Sequence, residues 1–272
     1  MTLAIVTATV LSRTDEDEPL LLAALRARGV DVELAAWDDP AVRWARYDAA
    51  VVRSTWNYVH ARDRFVSWAH ETEKVTSLFN PARVLEWNSE KSYLLRFAER
   101  GIATVPTVLV PRGSAVSLRE LVPWPDVVIK PRVSAGSFET YRTTRTDGDA
   151  LLARCASARD VLVQPYVRSV EGLGERSLVF LGGALTHAIR KSPRFDSDDE
   201  SVRAVPVEDD ERRFASQVLA AVDEPLLYAR VDLARGDDGA PLLMELELVE
   251  PSLFLRYDAA ALERFADLLA GL

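Results

Sequence analysis

Short apolar segments of strand length alternate with an amphipathic segment at the start of the chain, and this pattern constrains the fold most. Buried strands are predicted at 3–8 (LAIVTA), 30–37 (VDVELAAW) and 47–54 (YDAAVVRS). Between the first two, residues 17–29 have the spacing of an amphipathic helix that ends on Gly29. The alternation indicates an α/β class and a small Rossmann-like unit. Because no Gly-x-Gly-x-x-Gly follows the first strand, the unit is interpreted as a substrate platform.

A cluster of polar and aromatic residues follows the third strand, at the carboxyl end where open α/β sheets bind ligands. The candidate substrate contacts in this RSTWNY stretch are Arg53, Ser54, Trp56, Asn57 and Tyr58. The alternative interpretation is a capped turn with an aromatic plug. The position at the end of a strand favours substrate contact.

The pattern changes after residue 79. Asn88 and Ser89 are suited to cap a helix that continues to Gly101. Further along, strands are predicted at 106–111, 126–131 and 160–167, a hairpin at 176–191, and helices at 146–158, 208–222 and 258–272. Residues 194–213 are too acidic and polar to pack, so a mobile surface loop is expected there.

The charge and the cysteine content exclude several classes of function. The 272 residues carry a formal charge of −9, whereas proteins that bind nucleic acids or anionic membranes need a basic surface. Cys155 is the only cysteine, so neither an internal disulfide nor a zinc-type ligand set is expected. The N-terminus has no basic region before its short apolar segment, and no apolar run approaches the ~20 residues of a spanning helix. We expect a soluble cytoplasmic protein with a small-molecule partner.

Acidic residues interrupt an apolar run near the C-terminus, LLMELELVEP at 242–251. Glu245 and Glu247 are two apart, so on a strand both side chains face the same side. Asp232 lies on the preceding apolar segment, and GDDG at 236–239 is strong hairpin turn chemistry. Converging carboxylates repel and lose hydration unless a cation neutralises them. The hairpin therefore predicts a cation site, with an exposed hairpin of solvated acids as the alternative.

A lysine and a loop of small residues lie at the end of the strand predicted at 126–131. A buried strand seldom tolerates a lysine such as Lys130 unless its ammonium group meets an anion. The small residues at 134–137 let backbone N–H groups approach a phosphate closely. A snorkelling lysine beside an ordinary loop is the alternative. In the segment 163–167, Pro165 removes a ladder donor, which suits an edge strand or a linker between lobes.

These features occur in one order along the chain: Lys91, then Lys130 with its loop, VQPYV at 163–167, GERS at 174–177, and the three acids of the hairpin. That order resembles the ATP-grasp superfamily, in particular its glutathione-synthetase-like branch. The stretches FNPARVLEWNSEKSYL, VIKPRVSAGSFET and LLMELELVEPSLFL are similar to the group that includes the D-cycloserine-forming ligases. The resemblance covers almost the whole chain.

The resemblance implies an ATP-grasp fold of α/β class, with a Rossmann-like pre-ATP-grasp substrate domain at 1–78 and an ATP-grasp domain at 79–272. The latter would divide into a lid at about 103–165 and a catalytic lobe at about 166–272. The implied ATP contacts are Lys91 and Lys130 at the phosphates, a covering loop of Ser134, Ala135, Gly136 and Ser137, and an adenine hinge of Gln164, Tyr166 and Val167. Glu171 and Glu175 both fit the acid that meets the ribose.

Asp232, Glu245 and Glu247 match the magnesium ligands of the superfamily, which places two Mg²⁺ ions against the β- and γ-phosphates. Glu247 is a departure, because Asn commonly stands at this position in relatives. The acidic segment at 194–213 is a second departure. Relatives usually carry a loop with Gly, Arg and Gln near the reacting groups there.

The implied activity is that of an ADP-forming ligase that requires ATP and Mg²⁺. The γ-phosphoryl group passes to a carboxylate of an amino-acid-like substrate, and an amine attacks the acyl phosphate to form a C–N bond. In the cycloserine-forming group the activated group belongs to a ureido-type substrate and the attack is intramolecular. A nucleotide-binding regulatory protein without turnover and a small-molecule kinase are the alternatives.

Two basic residues are candidates for catalysis. Arg230 shares a strand face with Asp232 and can pair with a carboxylate or phosphoryl oxygen in a bidentate way. Lys191 is a candidate for contact with the γ-phosphate. His187 is interpreted as a satisfied core histidine, and Glu250 as a turn cap, with a place in the metal shell as its alternative. A homodimer is the assembly that we expect.

Overall fold

The computed structural model describes residues 1–192 and 201–272, which form three β-sheets with helices packed against them. The strands are β1 (Thr2–Thr7), β2 (Asp31–Ala36), β3 (Ala49–Val52), β4 (Ser77–Phe79), β5 (Val108–Val110), β6 (Asp126–Pro131), β7 (Tyr141–Thr144), β8 (Val161–Pro165), β9 (Glu175–Leu181), β10 (Ala184–Lys191), β11 (Val202–Val205), β12 (Tyr228–Arg235) and β13 (Pro241–Glu247). The helices are α1 (Glu18–Ala27), α2 (Arg62–Glu73), α3 (Ala82–Asn88), α4 (Tyr93–Glu99), α5 (Leu118–Leu121), α6 (Asp149–Ala158), α7 (Ser169–Gly172), α8 (Asp209–Ala220) and α9 (Ala259–Ala270). None of these helices is long and apolar enough to cross a membrane.

The first sheet is parallel and has the strand order β2-β1-β3-β4. Leu3 and Ile5 of β1 share a core with α1. The intervening residues Ala4 and Val6 share a second core with α2, because side chains alternate along a strand. Both faces are thus covered, which explains why these strands are apolar throughout. The predicted strands and helix of the first 54 residues are confirmed, and α2 and β4 are additional to them.

The central sheet is antiparallel, with the order β11-β10-β9-β12-β13. Val179 and Leu181 of β9 pack with α9 and the first sheet. Leu178 and Phe180 face the other side and pack with α4 and α8. The predicted hairpin at 176–191, the acidic hairpin and the closing helix are confirmed.

The third sheet is antiparallel, with the order β5-β8-β6-β7, and it has an apolar core of its own with α5 and α6. Val127 and Ile129 of β6 and Val163 of β8 lie at the centre of this core. The suggestion that Pro165 marks an edge strand is wrong, because β8 is an inner strand. Pro165 is its last residue, where a missing donor disturbs the ladder least.

The helix predicted from Asn88 to Gly101 is two helices. α3 ends at Asn88, and α4 begins only at Tyr93. The side chain of Asn88 caps neither helix, since it bonds to the backbone of Leu246 in β13 and of Leu248 just after it. The Asn88 amide, which the local pattern predicted as a helix cap, therefore makes long-range hydrogen bonds instead.

The surface loop predicted at 194–213 is wrong for its second half, and residues 194–200 lie outside the described residues. β11 pairs with β10, and α8 begins at Asp209. The acidic character is accommodated by pairing: the Arg176 guanidinium donates to both carboxylate oxygens of the buried Glu211, at 3.0 and 2.8 Å. The apolar side of α8 supplies Ala215 to the central core.

Candidate active site

The hairpin of β12 and β13 carries four charged side chains at the centre of the candidate site. Arg230 lies opposite Glu247, and Asp232 lies opposite Glu245. Residues that face each other in an antiparallel pair, and residues two apart on one strand, share a face of the sheet. The structure therefore brings together the three predicted metal ligands and one predicted catalytic residue.

A β-bulge in β13 separates the acidic part of the strand from its apolar part. Leu243 lies opposite Leu233, so Met244 is the extra residue between Leu243 and Glu245. In a regular strand Leu243 and Glu245 face the same side. The bulge allows Leu243 to enter the central core while Glu245 faces the polar side.

Glu245 is held between the two predicted phosphate-binding lysines. Its Oε2 accepts from Lys91 Nζ at 2.6 Å and its Oε1 from Lys130 Nζ at 2.8 Å. Burial raises the pKa of Glu245, but the two ammonium groups outweigh burial and hold that pKa well below its ordinary range. Lys130 belongs to the third sheet and Lys91 to the segment before α4. One carboxylate thus links three parts of the fold.

A second charged cluster surrounds Asp232. Arg230 donates to both of its carboxylate oxygens, from Nε at 2.9 Å and from Nη2 at 2.8 Å. The same Nη2 is 2.5 Å from an oxygen of Glu247. Lys191 Nζ lies 3.3 Å from Asp232 and also pairs with Glu175. Both predicted catalytic residues are therefore ion-paired with predicted metal ligands.

The two acids paired with Lys191 have opposite pKa shifts. Burial raises the pKa of Asp232, but Arg230 and Lys191 outweigh it and hold that pKa far below its ordinary range. Burial raises the pKa of Glu175 to about 7, because Lys191 only partly offsets burial and Asp232 adds repulsion. Asp232 is thus charged at neutral pH, whereas Glu175 holds its proton to a higher pH than an ordinary glutamate.

Three side chains from outside the sheet bond the end of the outer edge of β13 and the residue that follows the strand. The Tyr93 hydroxyl accepts from the Leu246 N–H at 2.9 Å. Asn88 donates to the Leu246 carbonyl and accepts from the Leu248 N–H, both at 2.8 Å. Asn80 donates to the Leu248 carbonyl at 2.9 Å. These contacts, which fix the segment that carries the acids, were not predicted, and the only signal for them is an asparagine in the apolar stretch RVLEWN.

The loop of small residues lies between β6 and β7. Ser134 is buried, and Gly136 and Ser137 have φ of 58° and 61°, the left-handed region that favours glycine. A Cβ on Gly136 would meet no atom within 4 Å, so its backbone is open to the surroundings. The ring of Phe138, which follows the loop, packs edge-on against His60 at 5.0 Å. The loop therefore reaches from the third sheet to the first unit.

The predicted adenine hinge follows β8. Gln164 is buried and donates to the Thr107 hydroxyl at 2.8 Å. The Arg142 guanidinium carbon lies 3.6 Å from the centre of the Tyr166 ring. Arg142 also donates to Glu171 at 3.0 Å. Glu171 is thus next to the hinge, whereas Glu175 lies in the charged cluster with Lys191.

Two of the five predicted substrate residues face the segment that follows β13. Arg53 Nη2 donates to the Pro251 carbonyl at 2.9 Å, and Trp56 Nε1 donates to the Glu250 carbonyl at 3.2 Å. Arg53 is only 2% exposed, and its Nη1 has no hydrogen-bond partner among the described residues. Ser54 and Asn57 are engaged within the first unit, Ser54 with Thr7 at 2.8 Å and Asn57 with Trp37 at 2.7 Å and Asp38 at 2.8 Å. The Tyr58 ring stacks on Phe65 at 5.0 Å, while its phenol is close enough to Glu250 to interact with that charge.

His187 has the surroundings of a core histidine, as expected. It is 6% exposed, and its Nε2 lies 2.9 Å from the Leu253 carbonyl. Burial lowers its pKa, so the ring is neutral at physiological pH.

Comparison with known proteins adds the family. Residues 3–80 match the family model described as D-cycloserine synthetase DcsG, N-terminal domain. The chain is 35% identical to the cycloserine biosynthesis protein DcsG of Streptomyces lavendulae, with 98% of this chain and 97% of that protein covered. The chain belongs to the D-cycloserine synthetase family.

Solved structures agree with this family. The crystal structure of D-cycloserine synthetase DcsG has a TM-score of 0.90 and 33% identity, covering 100% of this chain and 99% of that one. The D-alanine–D-alanine ligase from Bacillus anthracis complexed with ATP has a TM-score of 0.74 at 14% identity, covering 100% and 96%. The ATP-grasp ligase PsnB complexed with minimal precursor has a TM-score of 0.70 at 16% identity, covering 99% and 98%. The last two show the fold alone.

The expected ATP-grasp fold and enzyme class are confirmed. This member of the D-cycloserine synthetase family is a ligase with the ATP-grasp fold, and structures that share this fold hold ATP in one case and Mg with ADP in another. The regulatory and kinase alternatives are not favoured.

The charged residues of the site fit a magnesium nucleotide by exchange of partners. Among the described residues no three His, Cys, Asp or Glu side chains form a preassembled metal site. Asp232, Glu245 and Glu247 instead pair with lysines and arginine. Carboxylate oxygens are the donors Mg²⁺ prefers, and ammonium groups suit phosphates. Asp232, Glu245 and Glu247 would hold the metal and the two lysines the phosphates, so that pairs with the ligand would replace the internal ion pairs.

Proposed function

We propose that this chain closes a ring of the D-cycloserine type, by activating a carboxyl-derived group of an amino-acid-like substrate with ATP and forming a C–N bond within the same molecule. The observation that carries the proposal is the meeting of Lys91 and Lys130 at the two oxygens of Glu245, at 2.6 and 2.8 Å. Two ammonium groups so close to a row of acids form a clamp for a magnesium polyphosphate. Membership of the D-cycloserine synthetase family supports the cyclising outcome.

The reaction has two steps. The terminal phosphoryl group of ATP moves to a substrate oxygen, so that a new P–O bond forms and the bond to ADP breaks. The substrate nitrogen then attacks the activated carbon, the C–N bond forms, and phosphate leaves with the electron pair of the broken C–O bond. The proton lost by the nitrogen passes to a base or to solvent.

The two lysines and the acids of the hairpin have different roles in binding the magnesium nucleotide. Lys91, Lys130 and the loop at 134–137 bind phosphate oxygens, and Asp232, Glu245 and Glu247 hold Mg²⁺, for which we propose two ions. Bound Mg²⁺ offsets the negative charge that moves between phosphate oxygens.

Arg230 and Lys191 act beside the metal ligands. Arg230 orients Asp232 and Glu247 together, because its guanidinium contacts both. We propose that this guanidinium also contacts the reacting group, since a planar guanidinium matches carboxylate and phosphoryl oxygens. Lys191 is assigned to the γ-phosphate, which it can approach by exchanging its contact with Asp232.

The hinge residues Gln164, Tyr166 and Val167 are assigned to adenine. Glu171 is preferred over Glu175 for the ribose. Glu171 lies beside Tyr166 through their common neighbour Arg142, whereas Glu175 is paired with Lys191.

Arg53 and Trp56 are the preferred substrate contacts. The unpartnered Nη1 of Arg53 is a buried donor whose desolvation is not offset among the described residues, and an acceptor on the substrate satisfies it. Ser54, Asn57 and Tyr58 support this surface through their contacts within the first unit.

We also propose the division of the chain expected from the sequence, with the substrate domain at 1–78, the lid at about 103–165 and the catalytic lobe at about 166–272. The separate core of the third sheet supports a lid of this extent. A cytoplasmic homodimer remains a prediction from the sequence.

The proposed function is tested with the purified protein, ATP and Mg²⁺ over a panel of ureido-bearing and other amino-acid derivatives. We expect ADP release that depends on one class of derivative, and a cyclic product by mass spectrometry. An intermolecular amide would refute ring closure. A stable phosphorylated substrate would identify a kinase.

A further inference from the structure

Glu250 differs from the other acids around the candidate site. It follows β13 by three residues and is 8% exposed. Among the described residues its carboxylate makes no hydrogen bond or ion pair, whereas Glu175, Glu245 and Glu247 each pair with a lysine or arginine. A largely buried acid without a protein partner loses much of its hydration, and the oxygens of Glu250 keep a small exposed area through which a ligand can reach them.

The backbone around Glu250 is fixed by the surface assigned to the substrate. Trp56 donates to the carbonyl of Glu250 itself, and Arg53 donates to the carbonyl of the next residue, at 3.2 and 2.9 Å. Arg230 Nη1 donates to the Ser252 carbonyl at 3.1 Å. The carboxylate is therefore held between the substrate residues and the acidic hairpin, in a segment with little freedom to reorient.

The charges around Glu250 come from several elements. Lys91, Arg13 and Arg230 attract its negative charge, whereas Glu247 repels it. The phenol of Tyr58 faces it from the turn after β3 and is itself kept protonated by burial. Burial and then Glu247 raise the pKa of Glu250 to about 8, so the three cations do not compensate the lost hydration.

We propose that Glu250 binds the ammonium group of the amino-acid-like substrate and so determines specificity for a primary amine. This inference rests on the proposed function, because it names the group by which that substrate is recognised. A primary ammonium brings the positive charge and the N–H donors that the carboxylate lacks. The Arg13 guanidinium lies 4.3 Å from the centre of the neighbouring Trp56 ring, so this ring already accommodates a cation beside Glu250.

A magnesium ion fits this position less well than an ammonium group. Mg²⁺ needs octahedral oxygen geometry and is served by the acids of the hairpin, which face the two lysines. Glu250 lies beyond the end of β13, with its backbone bonded to Trp56. The hairpin and Glu250 would thus hold different cations, the metal and the substrate amine.

Binding of two matched rings tests the inference. D-Cycloserine carries a primary amine, and isoxazolidin-3-one is the same ring without it. Titration calorimetry with the full chain saturated with Mg-ADP should give at least tenfold tighter binding of D-cycloserine. In Glu250→Gln this preference should fall to about twofold or less, with the affinity for Mg-ADP unchanged. Glu120→Gln, an exposed acid in α5, should keep the preference.

The outcomes separate the inference from the proposed function. If neither ring binds the parent protein while Mg-ADP does, the D-cycloserine-type function fails and the inference with it. If D-cycloserine binds and Glu250→Gln keeps the full preference, the inference alone is wrong. If Glu250→Gln weakens Mg-ADP instead, Glu250 is a metal ligand and the ammonium assignment is overturned.

The melting temperature distinguishes a ligand-binding role of Glu250 from a structural one, because the two roles predict opposite effects of Glu250→Gln. Burial raises the pKa of Glu250 from its ordinary 4.5 to about 8 in the folded chain. Between these values the unfolded chain releases the proton and the folded chain retains it, so stability is lost as pH rises through this window. Glu250→Gln should therefore melt higher than the parent protein at pH 9 and equally at pH 4. A lower melting temperature at pH 9 would mean that Glu250 stabilises the fold, contrary to the inference.

Discussion

The two sides of the candidate site, named here the phosphate wall and the substrate wall after their proposed ligands, differ in how their charged groups are paired. The phosphate wall consists of Lys91, Lys130, Asp232, Glu245 and Arg230, and the substrate wall of Arg53, Trp56 and Glu250. Every charge of the phosphate wall is paired in the absence of ligand. In the substrate wall the Nη1 of Arg53 has no hydrogen-bond partner among the described residues, and the largely buried Glu250 carboxylate forms no ion pair with them. A paired wall is stable alone and binds by exchanging partners, whereas an unpaired wall depends on its ligand for completion.

The largest effect is expected for Glu245→Gln on the phosphate wall. Loss of the charge removes a metal ligand and leaves two ammonium groups facing a neutral amide. We expect kcat/KM to fall by about 10³ or more, with modest loss of fold. Pyrophosphate should raise the melting temperature of this variant more than that of the parent protein, because it takes over both lysines. Normal turnover in the variant would contradict the metal assignment.

Arg230→Lys should reduce kcat by about 10², because an ammonium group cannot contact both oxygens of Asp232 and also reach Glu247. Arg176→Lys is the matched control, since Arg176 forms a similar two-bond contact with Glu211 away from the site. It should lower the melting temperature but leave kcat within about twofold. Equal losses of kcat in both variants would show that the first effect is only structural.

Asn88→Ala should reduce kcat by about tenfold and cost about 1–3 kcal/mol of stability, because the Leu246 carbonyl and the Leu248 N–H lose their partner. The apparent affinity for Mg²⁺ at saturating ATP should fall as well, if the edge contacts orient the acids. Asn88→Asp keeps the acceptor but loses the donor, so its kcat and its stability should lie between those of the parent protein and of Asn88→Ala. An unchanged dependence on Mg²⁺ would confine Asn88 to folding.

The smallest effect on catalysis is expected for Asn57→Ala. Its amide is shared between Trp37 and Asp38, so its loss should cost about 1–2 kcal/mol of stability. Substrate KM should change by no more than about twofold in steady-state assays at a temperature where the variant is folded. A tenfold rise in KM would instead indicate that Asn57 contacts the substrate directly.

The same comparison explains what the sequence could predict. Alternation along a strand is local, so Asp232, Glu245 and Glu247 could be placed on one face before the structure was known. The lysine at the end of β6 carried a similar signal, since an unpaired charge does not belong in a buried strand. The residues of the phosphate wall can therefore be predicted from their spacing together with the family resemblance.

The contacts of the substrate wall are harder to predict from the sequence, because they join residues nearly 200 positions apart. Asn57 and Trp56 are neighbours in sequence, yet one is used inside the first unit and the other bonds to the segment after β13. Asn88 has the local signature of a helix cap, and its actual partners lie in β13. The missing partner of Glu250 is a property of the folded surroundings alone. Local patterns carry none of this information.

The side chains along the outer edge of β13 have a consequence beyond catalysis. An edge strand with the sequence LLMELEL has unpaired N–H and C=O groups that can template the addition of a strand from another molecule. Tyr93, Asn88 and Asn80 occupy those groups at Leu246 and Leu248. The backbone of Ala103 and Val105 bonds the same edge at Leu243, so these side chains and this short segment together leave little of the edge open to a strand from another molecule.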